Sequence, residues 1–401
     1  MVKCLVGTKR NRRGEFMKFS IKLNELQDIL KALRTCVKPS SDEPSARINI
    51  FANKDAVYFI TSDNLNSIKV TSTTAQLLSE GRVAVLYSKL HPFINSFRYY
   101  AEGTGGVEDV VVKLNDKSLS VSVKNYSSDG SCSNTRVRLP CFSEITEDNL
   151  FKFDRTDFVL GSSMLKATLD KISFTLDPLH NVTFLRGASL LFTENEIHFA
   201  GTNGIVISEY TVKNTSNSQG VSYILSYDFV KSFRNILSFL VHKEESSIEF
   251  FIEKGKIKVR TNNIILVGNL IVGYEFPDYR SELLREKKYK LSLGKDIVLA
   301  NIIPAISSLD KEDNYRLTFK YDGKCVTFYN DNFEASFNVG DEDDCDVKVD
   351  VNGRFFKNII NCINDDKILF MFSDENTAMC FDSDMFEDQK CLITPIKRRH
   401  E

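Results

Sequence analysis

Residues 196–211 read EIHFAGTNGIVISEYT, and the same cadence recurs at 56–71 as AVYFITSDNLNSIKVT and at 325–339 as CVTFYNDNFEASFNV. Each run alternates apolar and polar side chains on either side of a short polar centre, the pattern of two strands joined by a turn. Three hairpins spaced by roughly 130 to 140 residues describe a molecule assembled from copies, and a repeat at that interval sets the architecture before any site is considered.

Each hairpin is flanked by further matching segments. Ahead of it, Phe19-Ser20-Ile21-Lys22-Leu23, Phe158-Val159-Leu160 and Tyr289-Lys290-Leu291-Ser292-Leu293 are short strands that run straight into helix-period segments. Behind it, Val83-Ala84-Val85-Leu86, Tyr223-Ile224-Leu225 and Val347-Lys348-Val349 lead into a second helix, over 88–97, 228–237 and 353–363. Every copy is therefore itself doubled, two helices on a strand-rich sheet.

The helices carry apolar stripes: Leu26, Ile29, Leu30 and Leu33 in the first, Leu165, Leu169 and Ile172 in the third, and Val298, Ile302 and Ala305 in the fifth, where Pro304 is expected to kink the helix or end it early. Strand content is high elsewhere, as in Leu119-Ser120-Val121-Ser122-Val123 and Ile248-Glu249-Phe250-Phe251-Ile252. The fold class is α+β. Boundaries follow from the copies: 17–148, 149–285 and 286–401, with residues 1–16, basic until Glu15 and matching no copy, set outside the fold.

A length of 401 residues suits two to three domains at about 150 residues each. The formal charge of -2 hides segregation, so distribution matters more than the total. Nine cysteines without a Cys-x-x-Cys pair read as reduced thiols of a cytoplasmic protein. No run approaches the roughly 20 apolar residues of a membrane helix.

Several chemistries lack their residues. There is no glycine-rich loop ending in Gly-Lys-Ser/Thr to cradle phosphates. The five histidines (His91, His180, His198, His242 and His400) stand apart at no metal-ligand spacing, so no metal and no cofactor is expected. Asp341 to Asp346 reads DEDDCD, a solvated acidic loop without the spaced ligands and central glycine of a calcium site.

Basic residues on the helices say more: Lys31, Arg34 and Lys38; Lys89 and Arg98; Lys166 and Lys171; Lys231 and Arg234; Lys295; Arg354 and Lys357. Singly, each is a solubilising surface group. With all six helices on a common side they become one basic lining, suited to a duplex backbone and to binding without sequence readout.

Met17 to about Lys397 resembles the bacterial DNA polymerase III beta subunit, the sliding clamp, through MKFSIKLNELQDIL at 17–30, FLRGASLLF at 184–192 with GTNGIVISEY at 201–210, YEFPDYRSELL at 274–284 and CLITPIK at 391–397. The resemblance implies three tandem clamp domains per chain, half of a closed ring of two head-to-tail copies, with helices lining the hole. It implies no enzyme but a processivity factor on double-stranded DNA, tethering the replicative polymerase, clamp loader and repair proteins by short peptides.

Carried over by position, the peptide pocket would use Leu185, Thr202, Gly204, Ile207, Pro277, Leu392, Thr394, Pro395 and Ile396. Lys38 is the best positional match for a DNA contact; Lys31, Arg34, Lys166, Lys231, Arg234, Arg354 and Lys357 rest on helix-face reasoning. Ser281 and Glu282 replace a basic and an apolar residue, which predicts a more acidic pocket wall; Tyr227-Asp228 replaces a basic pair, and residues 397–401 extend past the usual end, over the pocket mouth. Two rival functions remain in view: a repeat-built structural scaffold, and a metal-dependent nucleic-acid-processing enzyme whose carboxylates would cluster in a cleft.

Overall fold

A computed structural model describes residues 17–38, 43–100, 105–116, 118–128, 130–143, 149–216, 219–240, 245–340, 345–383 and 388–397. The leader 1–16, the acidic stretch 341–344, His242, His400 and residues 398–401 lie outside the described residues.

The apolar stripes form the expected helices: α1 (Leu23–Leu33), α2 (Tyr87–Asn95), α3 (Ser162–Ser173), α4 (Tyr227–Leu240), a single turn α5 (Arg280–Leu283), α6 (Lys295–Ile306) and α7 (Gly353–Cys362). In α1 the buried residues are Leu23, Leu26, Ile29, Leu30, Ala32 and Leu33, one face of a 3.6-residue period. At the start of α7 the Asn352 side chain accepts from the amides of Arg354 and Phe355, satisfying two of the donors a helix N-terminus leaves open. Gly353 follows because a Cβ there would meet Leu309 Cδ1 at 2.6 Å.

Of the two outcomes expected at Pro304, a kink or an early end, the second is not seen: α6 continues to Ile306. The proline's missing amide would have donated to the carbonyl of Ala300, an exposed residue, so water can satisfy the orphaned acceptor.

All strand pairs are antiparallel, and the three expected hairpins are present, pairing 57–62 with 67–71, 196–202 with 206–213, and 325–330 with 333–338. The sheets are not built copy by copy, as the sequence suggested. Each strand leading into one long helix of a copy pairs with the three-strand meander that follows the other helix of that copy. Thus 18–22, which enters α1, pairs with 106–114 of the meander after α2, while 81–86, which enters α2, pairs with 47–52 of the meander after α1. The exchange is repeated in the other two copies, giving six equivalent four-stranded arrays.

Outer strands of these arrays then join. Strand 264–269 pairs with 67–71, making one eight-stranded sheet, and 206–213 pairs with 389–393, making another. Two outer strands, 132–140 and 333–338, stand at sheet ends.

The chain packs as two compact units: residues 1–163 with 231–269, and 164–230 with 270–401. In the second, alternate residues of both sheets meet the inner faces of α6 and α7, with Phe319, Phe328, Phe356, Phe370 and Phe381 stacked edge to face or tilted. In the first, Phe250 lies between Phe158 and Phe233 at 4.3 and 5.9 Å.

Candidate functional site: an apolar cleft and basic helix faces

The central hairpin reverses at Asn203-Gly204-Ile205. Asn203 Oδ1 accepts from the amides of Ile205 and Val206, and Gly204 takes a φ of +83°, a conformation open to glycine and costly for other residues. Thr202 Oγ1 donates to the Val206 carbonyl at 2.8 Å and accepts from the Gly204 amide at 3.1 Å, so this hydroxyl, 3% exposed, serves the turn.

Beside the hairpin runs the last strand. Ile207 is opposite Leu392, and beyond the strand's end the Thr394 amide and hydroxyl both donate to the Ile205 carbonyl, at 2.9 and 3.2 Å. Leu392 joins Ala200, Tyr279, Leu283, Ala378 and Cys380 in one apolar cluster, with Ile207, Phe276 and Met371 packed at its margin. Leu185, from the 3-10 turn Thr183–Arg186, approaches the turn at Gly204, where a Cβ would lie 4.0 Å from its Cδ1. Pro277 is exposed between Phe276 and Tyr279, themselves in edge contact at 5.9 Å.

Leu185, Thr202, Gly204, Ile207, Leu392 and Thr394 therefore converge, with Pro277 and Pro395 on the adjoining backbone. Ile396 diverges, its amide bonded to the Asp350 carbonyl on the four-stranded sheet. Leu392 is 1% exposed, a core member of that apolar cluster. Ala378, Cys380, Met371 and Leu283 were missed by sequence reasoning, because nothing in their own segments says that they neighbour this hairpin.

The wall at Glu282 is not acidic as expected. Glu282 is paired with Lys287 at 2.9 Å and with Arg285 at 3.4 Å, and the Lys287 hydrogen bond, ahead of burial, holds its carboxyl below the usual range.

Behind the cluster lies a second feature that no sequence motif announced. Glu209, on the inner face of the hairpin, accepts from the Tyr279 hydroxyl at 2.6 Å and lies 3.5 Å from His198 Nδ1 and 3.6 Å from Arg280 Nε. Burial pushes the Glu209 carboxyl up, but hydrogen bonds from His198 and Tyr279, with the charges of His198 and Arg280, win and hold it below its usual value. Burial and Glu209 together push the Tyr279 hydroxyl far up, so it remains a donor.

The candidate DNA residues divide between the units. In the first, Lys31, Arg34, Lys38 and Lys231 are exposed and Arg234 is half-buried. The Ser232 hydroxyl bonds the Thr35 carbonyl at 3.2 Å and the Lys31 ammonium sits 5.5 Å from the Phe239 ring centre, so the ends of α1 and α4 bring these cations together. In the second, Arg354 is exposed and lies over the Tyr315 ring, Lys357 is half-buried, and Lys166 is paired with Asp170.

Two expected members of the lining are engaged elsewhere. Lys171 is half-buried over the Tyr210 ring, and burial lowers its pKa. Lys295 donates to the carbonyls of Asn361 and Ile363, closing the C-terminal end of α7. The exposed face of α6 is instead largely apolar, with Ile297, Ala300, Ile303 and Pro304 beside the single acid Asp296.

Among the described residues, no group of three or more His, Cys, Asp or Glu side chains is placed to hold a metal. Nor is any described helix long and apolar enough to cross a membrane.

Solved structures share this arrangement over almost the whole chain. A sliding clamp, DNA polymerase III subunit beta, from Pseudomonas aeruginosa bound to griselimycin superposes with a TM-score of 0.81 at 14% identity, covering 96% of this chain and 100% of that one. The chain has the fold of the beta sliding clamp. The DNA polymerase III beta subunit of Thermotoga maritima matches the clamp fold with a TM-score of 0.78 at 18% identity, over 96% of this chain and all of its own. Curated beta sliding clamps are similar in sequence: that of Chlamydia pneumoniae is 22% identical over 316 residues, 76% of this chain and 78% of its own, and one from Buchnera aphidicola subsp. Rhopalosiphum padi is 20% identical over 390 residues, 95% and 100%. No family model matches.

Proposed function

We propose that the chain is a cytoplasmic processivity clamp: two copies close head to tail around duplex DNA, slide without sequence preference, and tether the replicative polymerase, clamp loader and repair proteins by short peptides. It catalyses nothing. Tethering acts through effective concentration, because a polymerase that releases its primer stays close and rebinds in an intramolecular step. In this reading the domains are 17–148, 149–285 and 286–401.

One observation carries the reading. Six equivalent arrays join by their outer strands, two such junctions are made within the chain, and the outer strands 132–140 and 333–338 remain at sheet ends. A second copy supplies the missing junction by pairing 132–140 of one chain with 333–338 of the other, which also removes the exposed edges that invite aggregation. Support comes from the helices beside those edges: α6, packed against 333–338, offers Ile297 and Ile303, and α2, packed near 132–140, offers Phe93, in edge contact with Phe97 just beyond the helix. Arg136 and Arg138 on one edge and Glu334 on the other are of opposite charge.

The bore would be lined by Lys31, Arg34, Lys38, Lys166, Lys231, Arg234, Arg354 and Lys357, engaging phosphates. The apolar surface around Leu185, Gly204, Ile207, Pro277, Leu392, Thr394 and Pro395 would take the anchor of a partner peptide, apolar side chains with a few polar groups beside them. Ile396 and Thr202 would act only through the backbone around it.

The test is retention on DNA. After loading, the protein should stay on nicked circles and run off when they are cut; equal loss from both forms would end the proposal.

A further inference from the structure

We propose that Cys362 and Cys391 are a reversible disulfide site, oxidised by a hydroperoxide and restored by a thiol reductant. Cys362 is the last residue of α7 and Cys391 lies in the last strand, Gln389–Ile393; their sulfurs face each other at 3.8 Å. Cys391 is 0% exposed, whereas Cys362 is partly exposed and gives a small oxidant its route in.

Core cysteines ordinarily pack as small apolar groups. These two instead have polar partners. Gln389 Nε2 donates to Cys362 Sγ at 2.9 Å, Cys391 Sγ donates to Ser208 Oγ at 3.4 Å, and the charge of the half-buried Lys171 bears on both thiols. Such electropositive, partly accessible surroundings are where thiols ionise and react.

The pair divides the work. Cys362, at the partly exposed helix end, is the sulfur a small oxidant reaches, and Cys391, 0% exposed behind it, resolves the oxidised intermediate. Cys362 sulfur attacks the peroxide oxygen; the O–O bond breaks, and the leaving oxygen takes the one proton of the Cys362 thiol and departs as water or alcohol. Cys391 sulfur then attacks the Cys362 sulfenic acid, the S–O bond breaks, and the leaving hydroxyl takes the Cys391 thiol proton and departs as water. Two thiols have lost two electrons and two protons, all taken up by the peroxide.

Bond formation closes the sulfurs by about 1.8 Å, from 3.8 Å to the usual ~2.05 Å of a disulfide. The helix end can supply that movement, because Ile363 just beyond it is already extended at φ −76° and ψ 123°. The bridge would tie α7 to the strand one residue before Leu392.

The experiment is graded hydrogen peroxide on the full chain carrying Cys132→Ser, which removes an exposed thiol, followed by non-reducing peptide mapping. Expected is a cross-linked peptide pair through Cys362 and Cys391, lighter by two hydrogens than its reduced parts and fully restored by dithiothreitol. Sulfinic or sulfonic acid at either residue without the cross-link, or both thiols still open to alkylation while other cysteines oxidise, would overturn it. Cys391→Ser should abolish the cross-link and let Cys362 oxidise past the sulfenic stage, whereas Cys362→Ser should protect Cys391 at the same dose; oxidation of Cys391 at an unchanged rate in Cys362→Ser would also overturn the assignment.

Discussion

Glu209 is 2% exposed yet ionised, and the groups that keep it so also secure the segment bearing Pro277. A carboxylate whose pKa is lowered on folding contributes stability that is fully present above its ordinary range and is lost as acid protonates it through the lowered value. Urea unfolding should thus show stability falling below the ordinary carboxylate range, with Glu209→Gln flattening that part of the profile. Tyr279→Phe leaves the buried carboxylate without a donor at 2.6 Å and should cost about 1.5–3 kcal/mol in the same assay. At this scale sequence was an uneven guide. Gly204 was legible as a turn glycine, whereas the engagement of Lys171, Lys295 and Glu282 was not, because burial and ion partners come from other segments of the chain.

Secondary structure was the most legible level. Periodicity located all six long helices and the three hairpins within a few residues, since one buried face imposes its spacing on the chain. Pro304 lies in the last turn of α6, where only one hydrogen bond is lost and the helix runs on to Ile306. Reading six basic helices went wrong at α6, whose outward face carries Ile297 and Ile303 at 42% and 50% exposure. If that face belongs to the interface between copies, Ile303→Asp should leave the monomer folded and weaken dimerisation about tenfold or more, because burying an unpaired charge is costly. Sedimentation velocity across a concentration series reads this directly; an unchanged dimer would place the interface elsewhere.

In the proposed ring the decisive quantity would be charge around the bore. Binding to phosphates releases counterions, so residence of the loaded clamp should shorten steeply with salt. Arg34→Ala should shorten it further and reduce the salt slope by about one, uniformly across DNA sequences. A slope that did not change would remove Arg34 from the lining.

The sequence by itself determined that the chain is a threefold, internally doubled array of helices and hairpins, because hydrophobic period and turn residues are local properties. Which meander each leading strand joins, how Glu209, His198 and Tyr279 come to share one buried site, and why Cys362 faces Cys391 were decided only by tertiary structure. Antiparallel pairing depends on partners about a copy-half away, and an alternating strand carries the same pattern whichever edge it meets.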